Sequence, residues 1–429
     1  RISDMNEPTA ARLPDDLART VADPKSYAEW DSLHEKLKLI RREYPFARAT
    51  IENYNPFWVA STYKDIQEVA KNNDVFLSGL GPLIDNDTVK AAKAAGQEAT
   101  FRSIVAMNPP DHDKYRKLAQ WWFQPKNLRP LENRIRGIAR DYIDKLADLG
   151  GTCDFVKDIA YHYPLLVVMN ALGVPAADEP RILKWTQQYF GNNDAELNRT
   201  SSSVSVQESA GSVADVIRET NAYFKVFSDA RRREPTDDLI SVIANSTIDG
   251  ESISDVDAMG YYISAAFAGH DTTSSSVSGG MWALCENPDQ FERVKADLSL
   301  IPSLVEESIR WTTPIHQFTR IAAADCVVHN QQVKKGDWVV LCFPSGNRDE
   351  AAFDKPFEFI IDRKPNRHIG FGYGPHICIG MHLAGMEMRI FFEELIPRLK
   401  SVSLAGIPTR TITNFVGGPK SLPIRYELS

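Results

Sequence analysis

The amino-acid sequence predicts a mainly α-helical protein with a minor β portion. The chain has 429 residues, of which 43% are hydrophobic and 25% charged, so it is long enough for a large core and unlike a disordered or fibrous sequence. Helical periodicity dominates, and the longest helical candidate covers residues 255–287, just before Pro288. Neither an internal repeat nor a linker divides the chain. We therefore expect a single domain over residues 1–429.

The first quarter of the chain holds few regular elements. Residues 1–20 form a polar, proline-containing arm. Residues 57–61 are predicted to be a short strand and residues 63–72 a helix. From Phe76 to Ala106 the periodicity is lost among several glycines, which predicts an irregular loop of the kind that usually carries function.

The remainder is predicted to be mostly helical. Residues 114–227 show helical periodicity, interrupted by a polar run at 198–203 that we expect to be a mobile connection. After the long helix, two shorter helices precede residues 327–340, whose alternation predicts a small sheet with a turn at Gly336. A final helix is predicted over residues 381–400.

Charge and cysteine content exclude several classes of protein. With 49 Lys and Arg against 57 Asp and Glu, the formal net charge is −8, which leaves no broad basic surface for nucleic acid. The N-terminal residues hold no apolar run of signal-peptide or membrane-spanning length, so we expect a cytoplasmic protein without a membrane anchor. An odd, scattered set of cysteines favours a reducing compartment over disulfides or a zinc cluster; the set is Cys153, Cys285, Cys326, Cys342 and Cys378.

Cys378 lies in a glycine-punctuated loop that leads directly into the predicted final helix. Backbone N–H groups of such a loop can bond the sulfur, and the positive end of the helix dipole lowers the pKa of a thiol. A single stabilised thiolate suits a haem iron better than zinc or an iron–sulfur cluster, which take several cysteines. The alternative is a structural cysteine after a turn.

This segment resembles the haem-binding signature of the cytochrome P-450 superfamily at every defined position, namely Phe371, Gly374, His376, Cys378 and Gly380. The resemblance implies the helical, haem-enclosing fold of that superfamily, with small sheets. It also implies haem b as the cofactor, Cys378 as the axial ligand of the iron, and Phe371 as a neighbour of the haem.

A second segment, residues 268–276, lies inside the long helix and contains poor helix formers, because successive hydroxyl side chains compete for backbone carbonyls. Read alone, it is either a groove for a small molecule or a Ser/Thr-rich packing seam. It is similar to the oxygen-activating motif of the same superfamily. This implies catalytic roles for Asp271 and Thr272 in delivering protons, and places Gly269 against the cofactor. His270 occupies the variable position of the motif and receives no role.

Glu307 and Arg310 stand at i and i+3 on one predicted helix, where such a pair is usually a surface ion pair. The superfamily carries a pair of this kind between the long helix and the cysteine loop. There it joins another arginine in a buried structural network. In this sequence the third member is either Arg348 or Arg363.

The two propionates of a haem require cationic partners. The resemblance assigns this task to His112 and Arg116, which share a helix face, and to Arg320 and His376. Arginine suits it because its planar fork engages a carboxylate through two bonds. For each residue the alternative is an ordinary surface or core side chain.

The substrate wall is expected, by analogy, from segments that face the distal side of the iron. These are the irregular region near residues 76–84 and the side chains of Ala265, Ala268, Gly269, Ile315, Phe318, Phe415 and Val416. His316, Gln317 and Asn414 are candidate polar anchors. The apolar lining favours a terpenoid, an alkylbenzene or a compact aromatic hydrocarbon. Ordinary core packing is the alternative for each side chain.

Together the motifs predict a haem-dependent monooxygenase that hydroxylates a small apolar substrate with dioxygen. Residues 268–276, 363–380 and 414–420 are similar to the soluble bacterial branch that includes the terpineol hydroxylase. The resemblance implies two electrons from an iron–sulfur ferredoxin, served by a flavoprotein reductase and docked near Lys114, Lys117 and Lys126. The alternatives are a peroxygenase that uses hydrogen peroxide and a haem-based binder or sensor without catalysis.

Overall fold

The computed structural model describes residues 11–78, 83, 102–199 and 206–429, and only the backbone of residues 206–211. The α-helices in these ranges are α1 (Asp15–Ala22), α2 (Trp30–Glu43), α3 (Tyr63–Lys71), α4 (Asp111–Gln120), α5 (Pro125–Leu128), α6 (Glu132–Asp148), α7 (Tyr163–Leu172), α8 (Glu179–Phe190), α9 (Val206–Arg233), α10 (Leu239–Ala244), α11 (Asp255–Glu286), α12 (Pro288–Ala296), α13 (Ile301–Thr312), α14 (Phe343–Gly346) and α15 (Met381–Leu395). None of them combines the length and the apolar composition that a membrane span requires.

The strands are β1 (Phe46–Ala49), β2 (Phe57–Ala60), β3 (Phe76–Leu77), β4 (Thr152–Asp154), β5 (Thr247–Ile248), β6 (Glu251–Ser252), β7 (Gln317–Ala322), β8 (Cys326–Val328), β9 (Gln331–Val333), β10 (Trp338–Cys342), β11 (Leu399–Leu404), β12 (Thr409–Arg410), β13 (Pro419–Ser421) and β14 (Pro423–Leu428). One sheet has the order β1-β2-β10-β7-β3 and another the order β11-β14-β4, while β12-β13, β5-β6 and β8-β9 are two-stranded. Only β2 and β10 pair in parallel among these strands.

Helix α11 passes through the helical core. The hydroxyl of Ser254 caps its N-terminus by accepting the N–H of Asp257 at 3.1 Å. Near its other end, glycines allow α13 to approach closely, because an added Cβ at Gly279 would lie 2.0 Å from Thr312 Oγ1. A Cβ at Gly280 would lie 2.4 Å from the hydroxyl oxygen of Ser308. The absence of side chains at these two positions therefore allows α13 to pack closely against α11.

The predicted mainly α-helical fold is confirmed, and most predicted elements appear within a residue or two of their expected bounds. Two expectations are wrong. Residues 15–20 are part of α1 and not of a polar arm, because Leu17, Ala18 and Val21 bury one face of the helix. The last helix ends at Leu395, and residues 399–404 form β11, where pairing with β14 overrides helical periodicity.

Several other predictions lie wholly or partly outside the described residues. The irregular loop predicted for residues 76–106 begins with β3, but residues 79–82 and 84–101 are not described. The same is true of residues 1–10 and of most of the polar run at 198–203. The part of the predicted substrate wall near residues 76–84 is therefore described only in fragments.

Candidate active site

The loop that carries Cys378 is fixed by its own backbone and by a neighbouring helix. The N–H of Cys378 donates to the carbonyl of Phe371 at 2.8 Å. Gly372 and Gly374 have φ values of +78° and +72°, which glycine adopts without strain. Gly374 also packs against α3, since an added Cβ would lie 2.7 Å from the Cα of Lys71. The loop thus presents Cys378 at one defined position in front of α15.

The protein groups around Cys378 act on the pKa of its thiol in opposite directions. The residue is exposed, yet surrounding atoms desolvate the sulfur and raise the pKa overall. A backbone hydrogen bond from Gly380 and the charge of Arg116 lower it by a smaller amount. The loop hydrogen bond thus acts in the predicted direction and favours the thiolate, while desolvation of the sulfur opposes it. A coordinated metal ion would supply the missing stabilisation.

The four side chains predicted to hold propionates gather beside this loop. His112 and Arg116 lie on α4, and Arg320 lies on β7. The ring centroids of His112 and His376 are 4.0 Å apart. Arg116 donates to the carbonyl of Ile377 at 2.7 Å. Desolvation and the charges of Arg116 and Arg320 lower the pKa of both histidines, so the four groups form one electrostatic cluster.

Negative charge is scarce within this cluster. His112 Nε2 and Arg320 Nε are buried and have no hydrogen-bond partner among the described residues. Desolvation lowers the pKa of His376 to about 3 and that of Arg320 to about 10. Buried donors and cations of this kind are unfavourable until an anion completes them. The carboxylates of a haem would do so, and the residues present therefore fit the cofactor that the sequence implies.

Helix α11 carries the second predicted segment without a break. The hydroxyl of Thr272 donates to the carbonyl of Ala268 at 2.6 Å, and that of Thr273 to the carbonyl of Gly269 at 3.1 Å. The helix continues through these residues, although hydroxyls that bond carbonyls four residues back weaken a helix slightly. Ala268 is nevertheless exposed in the middle of a mostly buried helix. The helix is therefore continuous where Ala268 is accessible.

Asp271 is half-buried beside this opening, and burial raises its pKa to about 7. A carboxyl group with such a pKa can hold or release a proton near neutral pH. The neighbouring His270 is fully buried, and its Nε2–H donates to the carbonyl of Tyr161 at 2.8 Å. Desolvation lowers the pKa of His270 to about 4, so it remains neutral. Its role is structural.

Gly269 has a packing role in the structure. An added Cβ would lie 2.9 Å from a methyl group of Val168 on α7. The missing side chain allows α7 and α11 to approach each other. Contact of Gly269 with the cofactor stays a prediction.

The predicted substrate-wall segments converge in space. Ile315 pairs with Val416 in an antiparallel bridge, and the ring centroids of Phe318 and Phe415 are 5.7 Å apart. Val416 is buried, whereas Ile315, Phe318 and Phe415 keep part of their surface open. On α11, Ala265 is also partly open. The fold therefore joins segments that are distant in the chain into an apolar surface.

The family model described as Cytochrome P450 matches residues 24–422. The chain belongs to the cytochrome P450 family. Cytochrome P450-terp of Pseudomonas sp is 45% identical over 424 residues, which are 97% of this chain and 98% of that protein. Linalool 8-monooxygenase of Pseudomonas putida is 30% identical, over 91% of this chain and 95% of that protein.

Solved P450 structures share the fold. The crystal structure of CYP108D1 from Novosphingobium aromaticivorans is 41% identical, with a TM-score of 0.89, and the match covers 98% of this chain and 100% of that one. Mycobacterium marinum CYP268A2 in complex with pseudoionone is 31% identical, with a TM-score of 0.84 and coverages of 92% and 95%. The protein is therefore a P450 monooxygenase with a haem bound through a cysteine thiolate, and the predicted fold, enzyme class and cofactor are confirmed.

The ionic network of this P450 is buried, and its third member is Arg363. Glu307 and Arg310 are both inaccessible to solvent, and Arg310 NH2 lies 2.7 Å from Glu307 Oε1. Arg363 Nε lies 3.2 and 3.1 Å from the two oxygens of the same carboxylate. Arg348 instead donates to the carbonyl of Trp311 at 3.2 Å and stacks on its ring. The network thus connects α13 to the segment that precedes the cysteine loop.

Sequence reasoning missed two aromatic residues that pack beside the predicted substrate wall. Phe190, at the end of α8, has its ring centroid 5.9 Å from that of Phe415 and 6.4 Å from that of Phe267. Phe267 belongs to α11 and is buried. No motif in the sequence pointed to either residue.

The three candidate polar anchors are engaged elsewhere. His316 Nδ1–H donates to the carbonyl of Thr413 at 3.0 Å, and desolvation lowers the pKa of its ring to about 3. Gln317 Nε2 donates to the carbonyl of Val21 at 3.3 Å. The side-chain amide of Asn414 donates to the carbonyl of Ala22 at 2.9 Å. Both amides thus donate to the end of α1, while Gln317 Oε1 and His316 Nε2 have no partner among the described residues, and a contact of these side chains with a substrate stays a prediction.

Proposed function

We propose that this P450 hydroxylates a small, largely hydrocarbon molecule. The candidate substrate classes are terpenoids, alkylbenzenes and compact aromatic hydrocarbons, and terpenoids are the preferred class. The observation that carries the proposal is the apolar wall, where Phe318 and Phe415 present partly open rings and Phe190 and Phe267 lie behind them. None of these four side chains can anchor a charged substrate. The names of two relatives, Cytochrome P450-terp and Linalool 8-monooxygenase, support the terpenoid class.

Asp271 and Thr272 are proposed as the residues that deliver protons in this reaction. Bound haem supplies the activation of dioxygen. Asp271 can exchange a proton near neutral pH because its pKa is raised to about 7. The hydroxyl of Thr272 donates to Ala268 in this structure, and its oxygen remains able to accept a hydrogen bond. The pair would thus pass protons from solvent to the reacting centre and exclude bulk water.

Electrons are proposed to come from a small iron–sulfur ferredoxin, reduced by a flavoprotein reductase in the cytoplasm. A groove of about 390 Å³ lies on the side of the molecule that carries Phe371 and the start of α15. Its lining combines Arg129 and Arg389 with Glu132 and Glu306 and with apolar side chains such as Met386, and Arg389 is paired with Glu132 at 3.1 Å. A polar rim around an apolar centre is typical of a surface that binds a partner protein. All five cysteines are free, as a reducing compartment requires.

The three lysines predicted to contribute to ferredoxin docking are not equivalent. Lys126 is exposed and adjoins Pro125, which lines the groove, and Lys117 is exposed on α4. Lys114 is paired with Asp249 at 2.5 Å. We therefore expect Lys126→Glu to slow reduction by ferredoxin and Lys114→Glu to have less effect. Reduction by dithionite, which needs no docking surface, should be the same for both variants.

The substrate class is tested by titrating the purified haem protein with α-terpineol, linalool, cumene and naphthalene and recording the haem absorption. Displacement of iron-bound water by one of these, followed by formation of a hydroxylated product with ferredoxin and reductase, would support the proposal. Binding of charged or long-chain molecules in preference to all four compounds would contradict it.

A second experiment separates the monooxygenase from a peroxygenase or a sensor. Thr272→Ala should keep ligand binding but convert fewer of the supplied electrons into product, because proton delivery is impaired. Equal product yield per electron in the variant and the wild type would contradict a role for Thr272. Turnover with hydrogen peroxide and none with ferredoxin would favour a peroxygenase.

A further inference from the structure

The turn that follows α8 is organised around one buried carboxylate. The side chain of Asp194 accepts the N–H of Glu196 at 3.0 Å, and its backbone carbonyl accepts the N–H of Asn198 at 2.9 Å. Asp194 is only 1% exposed. The turn begins at Gly191, where an added Cβ would lie 2.6 Å from the side chain of Leu197. Residues 191–198 therefore form a compact unit, which we call the Asp194 turn.

The hairpin formed by β12 and β13 binds this turn through charge. Lys420 on β13 places its Nζ 3.1 and 3.0 Å from the two oxygens of Asp194 and 3.0 Å from Glu196 Oε1. The N–H of Ile412, just after β12, donates to Asp194 Oδ2 at 3.1 Å. Lys420 is 7% exposed, but its bonds to the two carboxylates outweigh its desolvation and raise its pKa. The lysine is therefore charged.

The Asp194 turn and the hairpin each adjoin one phenylalanine of the aromatic wall, by which we mean Phe190, Phe267, Phe318 and Phe415. Helix α8 ends at Phe190, immediately before the Asp194 turn, and Phe415 lies in the segment between β12 and β13. The rings of these phenylalanines are in contact, with centroids 5.9 Å apart. On its far side the turn leads to Arg199, which bonds both carboxylate oxygens of Glu219 on α9 at 2.9 Å. Loss of Lys420 would therefore remove the ion pairs between the turn and the hairpin, whereas the ion pair between Arg199 and α9 would remain.

We propose that Lys420 is a positioning residue, whose ion pairs with Asp194 and Glu196 hold the hairpin against the end of α8 and so control how readily ligands enter and leave the site. This rests on the proposed function only in that Phe415 lines the ligand site. The two carboxylates contribute unequally. Asp194 is buried and would be left unpaired by loss of the lysine, which is strongly unfavourable. The side chain of Glu196 is 69% exposed, and an exposed partner contributes little.

The test compares Lys420→Met with Lys420→Arg, which keeps the charge, and with Glu196→Gln. Each variant is first checked for the carbon-monoxide spectrum of a thiolate-bound haem. Stopped-flow mixing with 4-phenylimidazole, which binds the haem iron, then gives the rates of ligand entry and exit. We expect exit to be about tenfold faster in Lys420→Met, unchanged within about twofold in Lys420→Arg, and only slightly faster in Glu196→Gln.

Hydrogen exchange provides a readout that does not depend on ligands. In Lys420→Met, peptides covering residues 191–199 and 409–419 should both exchange faster, whereas peptides from α15 should not change. If Lys420→Met fails to incorporate haem, Asp194→Asn, which keeps a hydrogen-bond acceptor, is expected to show the same acceleration. If Lys420→Met and Asp194→Asn both show the hydrogen exchange and the ligand kinetics of the wild type, the proposal is overturned. Because 4-phenylimidazole is not a terpenoid, this outcome is independent of the substrate class.

Discussion

The imidazole rings of His112 and His376 are in contact, with centroids 4.0 Å apart and planes tilted by 40°. His112 comes from α4 and His376 from the cysteine loop, so the contact joins two distant parts of the chain. Both rings have a lowered pKa, mainly through desolvation and also through the charges of Arg116 and Arg320. Because a lowered pKa keeps both rings neutral near pH 7, the positive charges of this cluster are those of Arg116 and Arg320, and all four residues are predicted to bind the carboxylates of the cofactor.

Replacement of Arg320 should weaken haem retention more than it weakens the fold. Arg320 Nε is buried without a partner among the described residues, so Arg320→Met removes an unfavourable cation from the haem-free chain. With haem bound, the variant loses a charge-assisted hydrogen bond of about 1.5–3 kcal/mol. Transfer of haem to apomyoglobin should be roughly tenfold faster or more.

Arg410→Met is the matched control for this measurement. Arg410 is also a buried arginine with unpartnered nitrogens, and desolvation lowers its pKa to about 9. It stacks on Trp30, 3.7 Å from the ring centroid, and not on the cysteine loop. Equal rates of haem loss in the two variants would contradict a propionate role for Arg320.

Turnover should depend on the protonation of Asp271. Its pKa is raised to about 7 by desolvation, so the protonated form becomes scarce as pH rises through that value. We expect steady-state turnover of the wild type to fall between pH 6 and 8, and Asp271→Asn to be slower by about 100-fold with a flatter pH profile. Substrate affinity should be nearly unchanged. A variant that keeps both the wild-type rate and the wild-type pH profile would exclude Asp271 from proton delivery.

Removal of Arg363 should destabilise the protein strongly. Arg363→Met leaves the buried carboxylate of Glu307 with Arg310 as its remaining cation, and disruption of a buried ionic network costs about 3–5 kcal/mol. Urea unfolding gives the free-energy difference. Arg293→Met is the control, since its pair with Asp362 is about 40% exposed and worth less than about 1 kcal/mol. Similar losses in both variants would show that the network is not a major source of stability.

Glu387 predicts a pH-dependent effect on stability. This carboxyl on α15 is buried, and desolvation raises its pKa well above the ordinary value of 4.5. The folded protein therefore keeps a proton that the unfolded chain loses as pH rises above 4.5, and the wild type loses stability by up to about 1.4 kcal/mol per pH unit through this group.

Glu387→Gln should abolish this loss, so that the variant becomes increasingly more stable than the wild type between pH 5 and 8. Urea unfolding at several pH values measures the difference. The exposed Glu427, which pairs with Lys400 at 3.0 Å, offers Glu427→Gln as a control without such a trend. Parallel stability curves for Glu387→Gln and the wild type would contradict burial of a protonated carboxyl.

The sequence was most informative where local chemistry determines structure. Helical periodicity and Pro288 gave the extent of α11, and the signature around Cys378 identifies the haem loop. The choice between Arg348 and Arg363 could not be made, because it depends on distances between segments that are not adjacent in the chain. The same limit hid β11, which is a strand only because β14 lies beside it.

The direction of the Cys378 pKa could not be predicted for a related reason. Loop dipoles can be recognised in a sequence, but the number of atoms packed around a sulfur cannot. Likewise, no motif pointed to Phe190 or Phe267, and only the fold brings Phe190 into contact with both Phe415 and Phe267.

The aromatic wall has a consequence for how this enzyme can diversify. Its rings come from α8, α11, β7 and the segment between β12 and β13, whereas Cys378 and the network of Glu307, Arg310 and Arg363 belong to other parts of the chain. A mutation that exchanges one ring therefore leaves iron ligation and the buried ionic network intact. Natural variants of this scaffold can acquire new substrates by single substitutions at these phenylalanines, while inheriting the same oxidative chemistry unchanged.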